Sequence, residues 1–465
     1  MTSKRIAGRA ASLMVLLAGT ALAAPAGAET LSDALIAAYT SNPTLEAQRA
    51  SQMATDEGFR QSLAGWLPSV SVSGSYSTGE NRRTTEAPAF VNTSDSSTTV
   101  AITAQQNVFT GFRTYYDLRR SYDLIEAGRA QLTNVEQTVL FQAVAAYLDV
   151  LRDEQVLSLR ENNVTVLTRQ LEAANDRFRV GEITKTDTAQ AEARLELARA
   201  NRIQAEAQLT ASRAAYARVI GKWPETLEPP PPLPPLPDSE EEALGVALQL
   251  SPALSIARET EEASRRSVAI AKGRLLPTVT LQATSRRTDV TNEDSGLLAG
   301  ETQATDDSIT AQLTMPLYQG GANYSSIRES QALNSRDRIR IAEAERNLRE
   351  DVANAWESLR SARGRIASTS ESVRASEIAY EGVQQEALVG SRTTLDVLDA
   401  EQELLDTRVA LVQARRDEYV AAFNLLAVIG QLTAEDLGLP VEVYDPADYY
   451  RAIRFAPAGF LSLFR

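Results

Sequence analysis

The chain has 465 residues, no cysteine, no histidine and a formal net charge of -14 at pH 7. Without cysteine and histidine, Ser-His-Asp and Cys-His catalytic sets, Cys/His zinc sites and disulfides are all excluded. The acidic balance argues against nucleic acid or an anionic membrane surface as a partner.

Residues 1–28 carry Lys4, Arg5 and Arg9, then the apolar run "LMVLLAGTALAA", then "AGA" ahead of Glu29. This three-part pattern predicts a secretory signal peptide, and its removal would leave a still more acidic chain starting near Glu29. There is no cysteine for a lipobox. Beyond the signal no apolar run approaches the roughly 20 residues of a membrane-spanning helix. A membrane crossing would therefore have to be made by strands.

The first half, 29–221, opens with "TLSDALIAAYTSNP", a helix bounded by proline, followed by a second helical stretch that stops at Pro68. Strict alternation then sets Val70, Val72, Gly74 and Tyr76 against Ser69, Ser71, Ser73, Ser75 and Ser77, which predicts a strand over about 69–78. A second strand is predicted over about 99–109, with Val100, Ile102, Ala104 and Val108 on its apolar face and a long polar loop at 78–98 before it. One apolar face and one Ser/Thr/Gln face suit a membrane barrel with lipid outside and water inside, although a half-buried soluble sheet alternates in the same way. Trp66, Phe109, Phe112 and Tyr318 all fall where strand meets helix, the place of an interfacial aromatic belt, and this favours the barrel.

From about Phe112 to Val180 the chain lacks proline and is rich in Ala and charge, with apolar residues stepping by threes and fours through Leu132, Val135, Val139, Ala143, Ala146 and Val150. This coiled-coil spacing predicts one helix of roughly 100 Å at 1.5 Å per residue. It ends at a "VG" turn, and a second helix returns from Asp187 to "VIG" at 219–221, closing a hairpin.

The linker 222–238 contains "EPPPPLPPLPD" and is expected to be an extended polyproline strap; a docking motif for a peptide-binding domain is the less favoured reading. The second half, 239–430, then repeats the first at a constant offset of 209 residues. "NPTL" at 42 matches "SPAL" at 251, "LPSVSV" at 67 matches "LPTVTL" at 276, "VFTG" at 108 matches "LYQG" at 317, and "VGEITKTD" at 180 matches "VGSRTTLD" at 389. Strands are expected over about 278–287 and 308–318, with a polar loop at 290–307. Four strands cannot close a barrel, and an open edge is not tolerated in lipid, so three chains pooling twelve strands are expected. Residues 431–465 have no counterpart in the repeat and read as a C-terminal appendage.

With these elements in place the mature chain resembles, over nearly its whole length, the TolC-like outer-membrane efflux proteins. "MPLYQGG" at 315–321 and "VGSRTTLDVLDA" at 389–400 carry the resemblance. It implies a homotrimer, mostly α with a transmembrane β-barrel: twelve strands in the outer membrane, continued by an α-helical tunnel into the periplasm. It also implies passive export of drugs, toxins or proteins, with an inner-membrane pump, proton-driven or ATP-driven, and a periplasmic adaptor as partners. No cofactor is expected and no enzymatic activity. The missing lipobox cysteine points to the non-lipidated branch.

The resemblance assigns 389–400 to the periplasmic tip of the second hairpin. Thr184 with Asp187, and Thr393 with Asp396, also fit a capping box. Asp399, matched at the offset by Gln190, has no capping role, and Asp396 and Asp399 share one helix face, so a trimer would gather six carboxylates where the tunnel narrows. Such an acidic ring attracts cations and repels anions. The resemblance further implies polar links that hold the tips closed, with Arg392 and Asp187 at the matching positions. Leu388 stands where the family's type member has a tyrosine, which removes one such link. Val180, Gly181 and Thr184, with Val389, Gly390 and Thr393, match the family's adaptor-docking signature, although a plain helix-turn-helix also accounts for them. An acid-base enzyme using Asp396 and Asp399 is disfavoured because no pocket-forming loops, phosphate cradle or nucleophile elbow accompany them. A trimeric coiled-coil adhesin would lack the paired alternating strands.

Overall fold

A computed structural model of the chain describes residues 28–84, 90–292 and 300–454. The predicted signal peptide, apart from Ala28, the centres of the two strand-to-strand loops and the last eleven residues lie outside the described residues.

Element starts follow the repeat. The first half contains α1 (Leu31–Ser41), α2 (Pro43–Ala64), β1 (Ser69–Thr84), β2 (Phe90–Phe109), α3 (Arg113–Arg179) and α4 (Lys185–Ile220). The second contains α5 (Glu240–Leu250), α6 (Pro252–Gly273), β3 (Thr278–Asn292), β4 (Gly300–Thr314), α7 (Ala322–Leu388) and α8 (Thr394–Val428), and a last helix, α9, covers Ala447–Arg454. Local chemistry sets these starts. Thr30 and Asp33 form a capping box ahead of α1, Asn42 caps α2 with Pro43 in its first turn, and Ser239 caps α5. α3 and α7 each run for 67 residues, roughly 100 Å.

The four strands form one antiparallel sheet in the order β1-β2-β3-β4. Its strands, at 16, 20, 15 and 15 residues, are longer than the ten or so that alternation predicts. Most of the segments expected to be polar loops are strand, because polar residues pair across strands as well as apolar ones once the neighbouring rungs are in register. Paired residues share a face: Val70, Ala104, Ala283 and Ile309 make one rung, while Ser71, Thr103, Thr284 and Ser308 make the adjacent rung on the other side. The apolar residues occupy higher rungs on β1, from Val70 to Tyr76, than on β4, from Leu313 to Ile309. A level apolar band runs obliquely in this way when strands tilt, as barrel strands do. A bulge between Asn107 and Phe109 leaves Val108 unpaired and sets Phe109, opposite Val279, on the apolar face.

The main core lies midway along the helices. There α1, α3, α4, α5, α7 and α8 converge on Leu35, Tyr147, Tyr216, Leu425, Ile429 and Leu432. Glu29 is fastened into it: Tyr147 Oη shares its O–H between the carbonyls of Glu29 (2.9 Å) and Glu228 (2.7 Å), and Tyr216 Oη donates to the Glu29 carboxylate at 2.5 Å. The linker forms no helix or strand from 228 to 238, packs Leu233 and Leu236 on the core, and accepts a hydrogen bond from Tyr419 Oη at the Pro231 carbonyl. The appendage is docked as well, since Tyr450 of α9 meets Phe59 edge to face at 5.2 Å.

Candidate functional site at the hairpin tips

Each long helix ends in the same turn. Val180 closes α3, Gly181 follows at φ 80°, Gly181 N–H donates to Phe178 O (2.9 Å) and Glu182 N–H to Arg177 O (2.9 Å). In the second tip Gly390 also sits at φ 80°, with Gly390 N–H on Ala387 O (3.1 Å) and Ser391 N–H on Glu386 O (3.0 Å). The two bonds in each case are a Schellman cap, which satisfies the last carbonyls and requires a left-handed residue that glycine supplies without strain. Val180, Leu388 and Val389 are left about four-fifths exposed, an apolar cap on each tip.

Four residues after each glycine the return helix begins, capped by Thr184 and Thr393. The backbone N–H of Thr184 donates to Asp187 Oδ2 (2.8 Å) and Asp187 N–H returns a bond to Thr184 Oγ1 (3.3 Å); Thr393 and Asp396 do the same at 2.9 and 3.2 Å. Hydrogen bonds from the threonine side chain and backbone hold the Asp187 carboxyl below the usual carboxylate range, and those from the Thr393 backbone and side chain do the same to Asp396.

Arg392 and Asp187 are not joined within one chain. Arg392 Nε donates instead to Glu386 Oε2 at 2.8 Å, inside its own tip, while Asp187 is occupied by its cap. The first tip has a clamp of opposite polarity, Arg177 Nε to Glu182 Oε2 at 3.0 Å.

Asp399 has a partner that the sequence pattern misses. Arg194 Nη2, on α4 of the first hairpin, donates to Asp399 Oδ1 at 2.6 Å. The available signal was Arg194 one helical turn beyond Gln190, the residue equivalent to Asp399, which places both hairpins' polar positions on corresponding faces. Beside this pair Leu398 is buried among Leu167, Ala174, Ala191, Leu195 and Ala198, so α8 is seated on both helices of the first hairpin.

At the opposite end of the molecule Trp66, Phe109, Phe112 and Tyr318 all lie at the helix end of the sheet. Phe109 and Phe112 meet edge to face with centroids 5.3 Å apart, and Gln106 Nε2 donates to the Trp66 carbonyl. Phe112 is held at φ 61°, a strained conformation whose repeat counterpart, at φ 84°, is Gly321.

Comparison with known proteins agrees with this arrangement of two repeats. The family described as "Outer membrane efflux protein" matches residues 35–222 and 243–431. Outer membrane efflux protein BepC of Brucella suis biovar 1 (strain 1330) is 36% identical over 442 residues, covering 95% of this chain and 94% of that protein. Outer membrane protein TolC of Escherichia coli (strain K12) is 25% identical over 431 residues, 88% of this chain and 84% of the relative. Among solved structures the outer-membrane channel OprN superposes with a TM-score of 0.72 at 21% identity, over 86% of this chain and 89% of that one.

Proposed function

The chain belongs to the outer membrane efflux protein family, a TolC-type, non-enzymatic channel of the bacterial outer membrane, and from that premise we propose how its own residues do the work. Three copies pool their strands into a twelve-stranded barrel, and their helical hairpins continue it as a periplasmic tunnel. The observation that carries this reading is the sheet itself: four strands with an exposed apolar face, each edge strand paired on one side only, joined directly to helices of 67 residues. Residues 29–221 and 239–430 form the two repeats, 222–238 straps them together, and 431–465 is an appendage. Residues 1–28 act as the export signal, and the absence of cysteine fits the non-lipidated branch.

The channel serves as the exit duct of a tripartite efflux pump or a type I secretion system, with transport driven by the inner-membrane pump. The exposed tips formed by Val180, Gly181, Thr184, Val389, Gly390 and Thr393 dock a periplasmic adaptor, their apolar caps being the surface that such a partner would cover. Asp396 and Asp399 bring acidic charge to the tunnel entrance, and Asp187 and Arg392 link neighbouring tips in the closed trimer. Trp66, Phe109, Phe112 and Tyr318 mark the inner membrane-water boundary of the barrel. Planar-bilayer recordings test the reading: a small cation-selective conductance that increases in Arg392→Ala is expected. A folded trimer without conductance would overturn it.

A further inference from the structure

α8 lies against the first hairpin with Leu398, Glu401 and Leu405 in line, a spacing of three and four residues that normally makes an apolar seam. The middle position is a carboxylic acid only 7% exposed. Its neighbours in sequence that reach the first hairpin are matched by arginines: Asp399 by Arg194 at 2.6 Å, and Asp406 by Arg160 at 3.9 Å. Glu401 has no cationic partner among the described residues. It accepts from two neutral amides of α3, Gln170 Nε2 at 2.6 Å and Asn163 Nδ2 at 3.4 Å.

The groups around it are few. α3 contributes Asn162, Asn163 and Gln170, none of them ionisable, while Arg194 of α4 is engaged by Asp399. α7 contributes Glu377, Tyr380 and Glu381, and α8 itself contributes Arg408, which is bound to Glu377 at 2.8 Å. Asn162, Asn163, Glu377, Tyr380, Glu381 and Arg408 line, with Glu401, a cavity of about 340 Å³ at the junction of α3, α7 and α8, large enough for several waters.

We propose that Glu401, with Gln170 and Asn163, is a proton-controlled latch between the two hairpins: neutral Glu401 holds α8 on α3, and its ionisation releases α8 and so opens the periplasmic entrance. The inference rests on the gated-channel reading above. Burial is what makes the group responsive, since it raises the Glu401 carboxyl to about 7 despite the two amide donors. A solvated glutamic acid titrates near about 4.3. The packed arrangement therefore binds the proton more tightly than a loosened, hydrated one. Its advantage is complete below about pH 4.3, declines as the pH rises, and is gone above about pH 7.

The test combines bilayer recordings of the trimer between about pH 5 and about pH 8 with amide exchange along α8. The wild type should show an open-to-closed ratio at least about tenfold higher at the alkaline end. Glu401→Gln, neutral at every pH and of the same shape, should remain in the low-conductance state with a flat profile. Gln170→Leu, which removes a donor to the ionised form, should move the midpoint to higher pH. Asp396→Asn with Asp399→Asn should keep the wild-type midpoint, which separates the latch from the tip carboxylates. A wild-type pH profile retained in Glu401→Gln would overturn the proposal. Absent conductance in a folded trimer would instead overturn the channel reading. The latch would then stand or fall on whether exchange around Leu398–Leu405 accelerates above pH 7 in the wild type and not in Glu401→Gln, after correction for the intrinsic rate.

Discussion

Arg194 and Asp399, 205 residues apart in the chain, meet at 2.6 Å and join the return helices of the two hairpins just above their tips. The pair changes how acidic charge at the entrance should be read. Asp399 is accompanied by a guanidinium, whereas the Asp396 carboxylate has only its own cap and the field of Arg392.

Removing Arg194 should therefore expose charge and leave the fold in place. Both side chains are partly solvated, and such pairs contribute about 0–1 kcal/mol. Arg194→Ala is expected to increase cation over anion selectivity, and Asp396→Asn to reduce it more than Asp399→Asn does. Reversal potentials across a salt gradient measure this, and an unchanged potential in Arg194→Ala would remove Asp399 from the conducting path.

The Arg392 clamp makes a second, two-sided prediction. If Arg392 closes the entrance by reaching a neighbouring tip, Glu386→Gln should free it for that link and lower conductance, while Arg392→Ala raises it. Should both variants raise conductance, the clamp between Arg392 and Glu386 is itself the closing element.

Loss of a tip cap should be local and dependent on pH. Thr184→Ala is expected to cost roughly 1 kcal/mol of helix-end stability, the usual cost of a lost threonine cap. Because the bonded Asp187 carboxyl sits below its usual range, the contribution is present at neutral pH and falls away as the pH drops from about 4 through that lower value. Amide exchange at 184–188 should then differ between wild type and variant at pH 7 and converge at strongly acid pH. A difference that persists undiminished in acid would rule out the carboxylate's part in the cap.

The junction between barrel and helices depends on two glycines. A Cβ on Gly273 would lie 2.5 Å from the Gly111 carbonyl oxygen and 2.7 Å from Arg113 Cγ, while one on Gly111 would lie 2.4 Å from the Gly273 carbonyl oxygen. Gly273→Ala should destabilise the chain by about 1–3 kcal/mol, as overpacking does. Gly364→Ala, on α7 with nothing within 4 Å, should stabilise it by up to about 1 kcal/mol. Thermal melts of the two variants measure the contrast, and equal melting temperatures would show that the junction yields more readily than its backbone contacts suggest.

Features that depend on neighbours a few residues apart are legible along the chain. Thr184 caps Asp187, Gly181 and Gly390 turn left-handed, and Val70 to Tyr76 alternate because these are i to i+3 or period-two relationships, and the 209-residue offset then doubles each of them. The strands extend beyond their alternating stretches because rungs such as Arg286 opposite Asp306 gain their pairing from register across the sheet and show no hydrophobic pattern along the chain. Packing across the fold sets the rest: Asp399 faces Arg194, and Glu401 is buried with no cationic partner among the described residues. The physical reason is rotational phase. A long helix drifts against any fixed repeat unless neighbours hold it, so which side chains of α8 face α3 and α4 is set by packing between helices far apart in the chain.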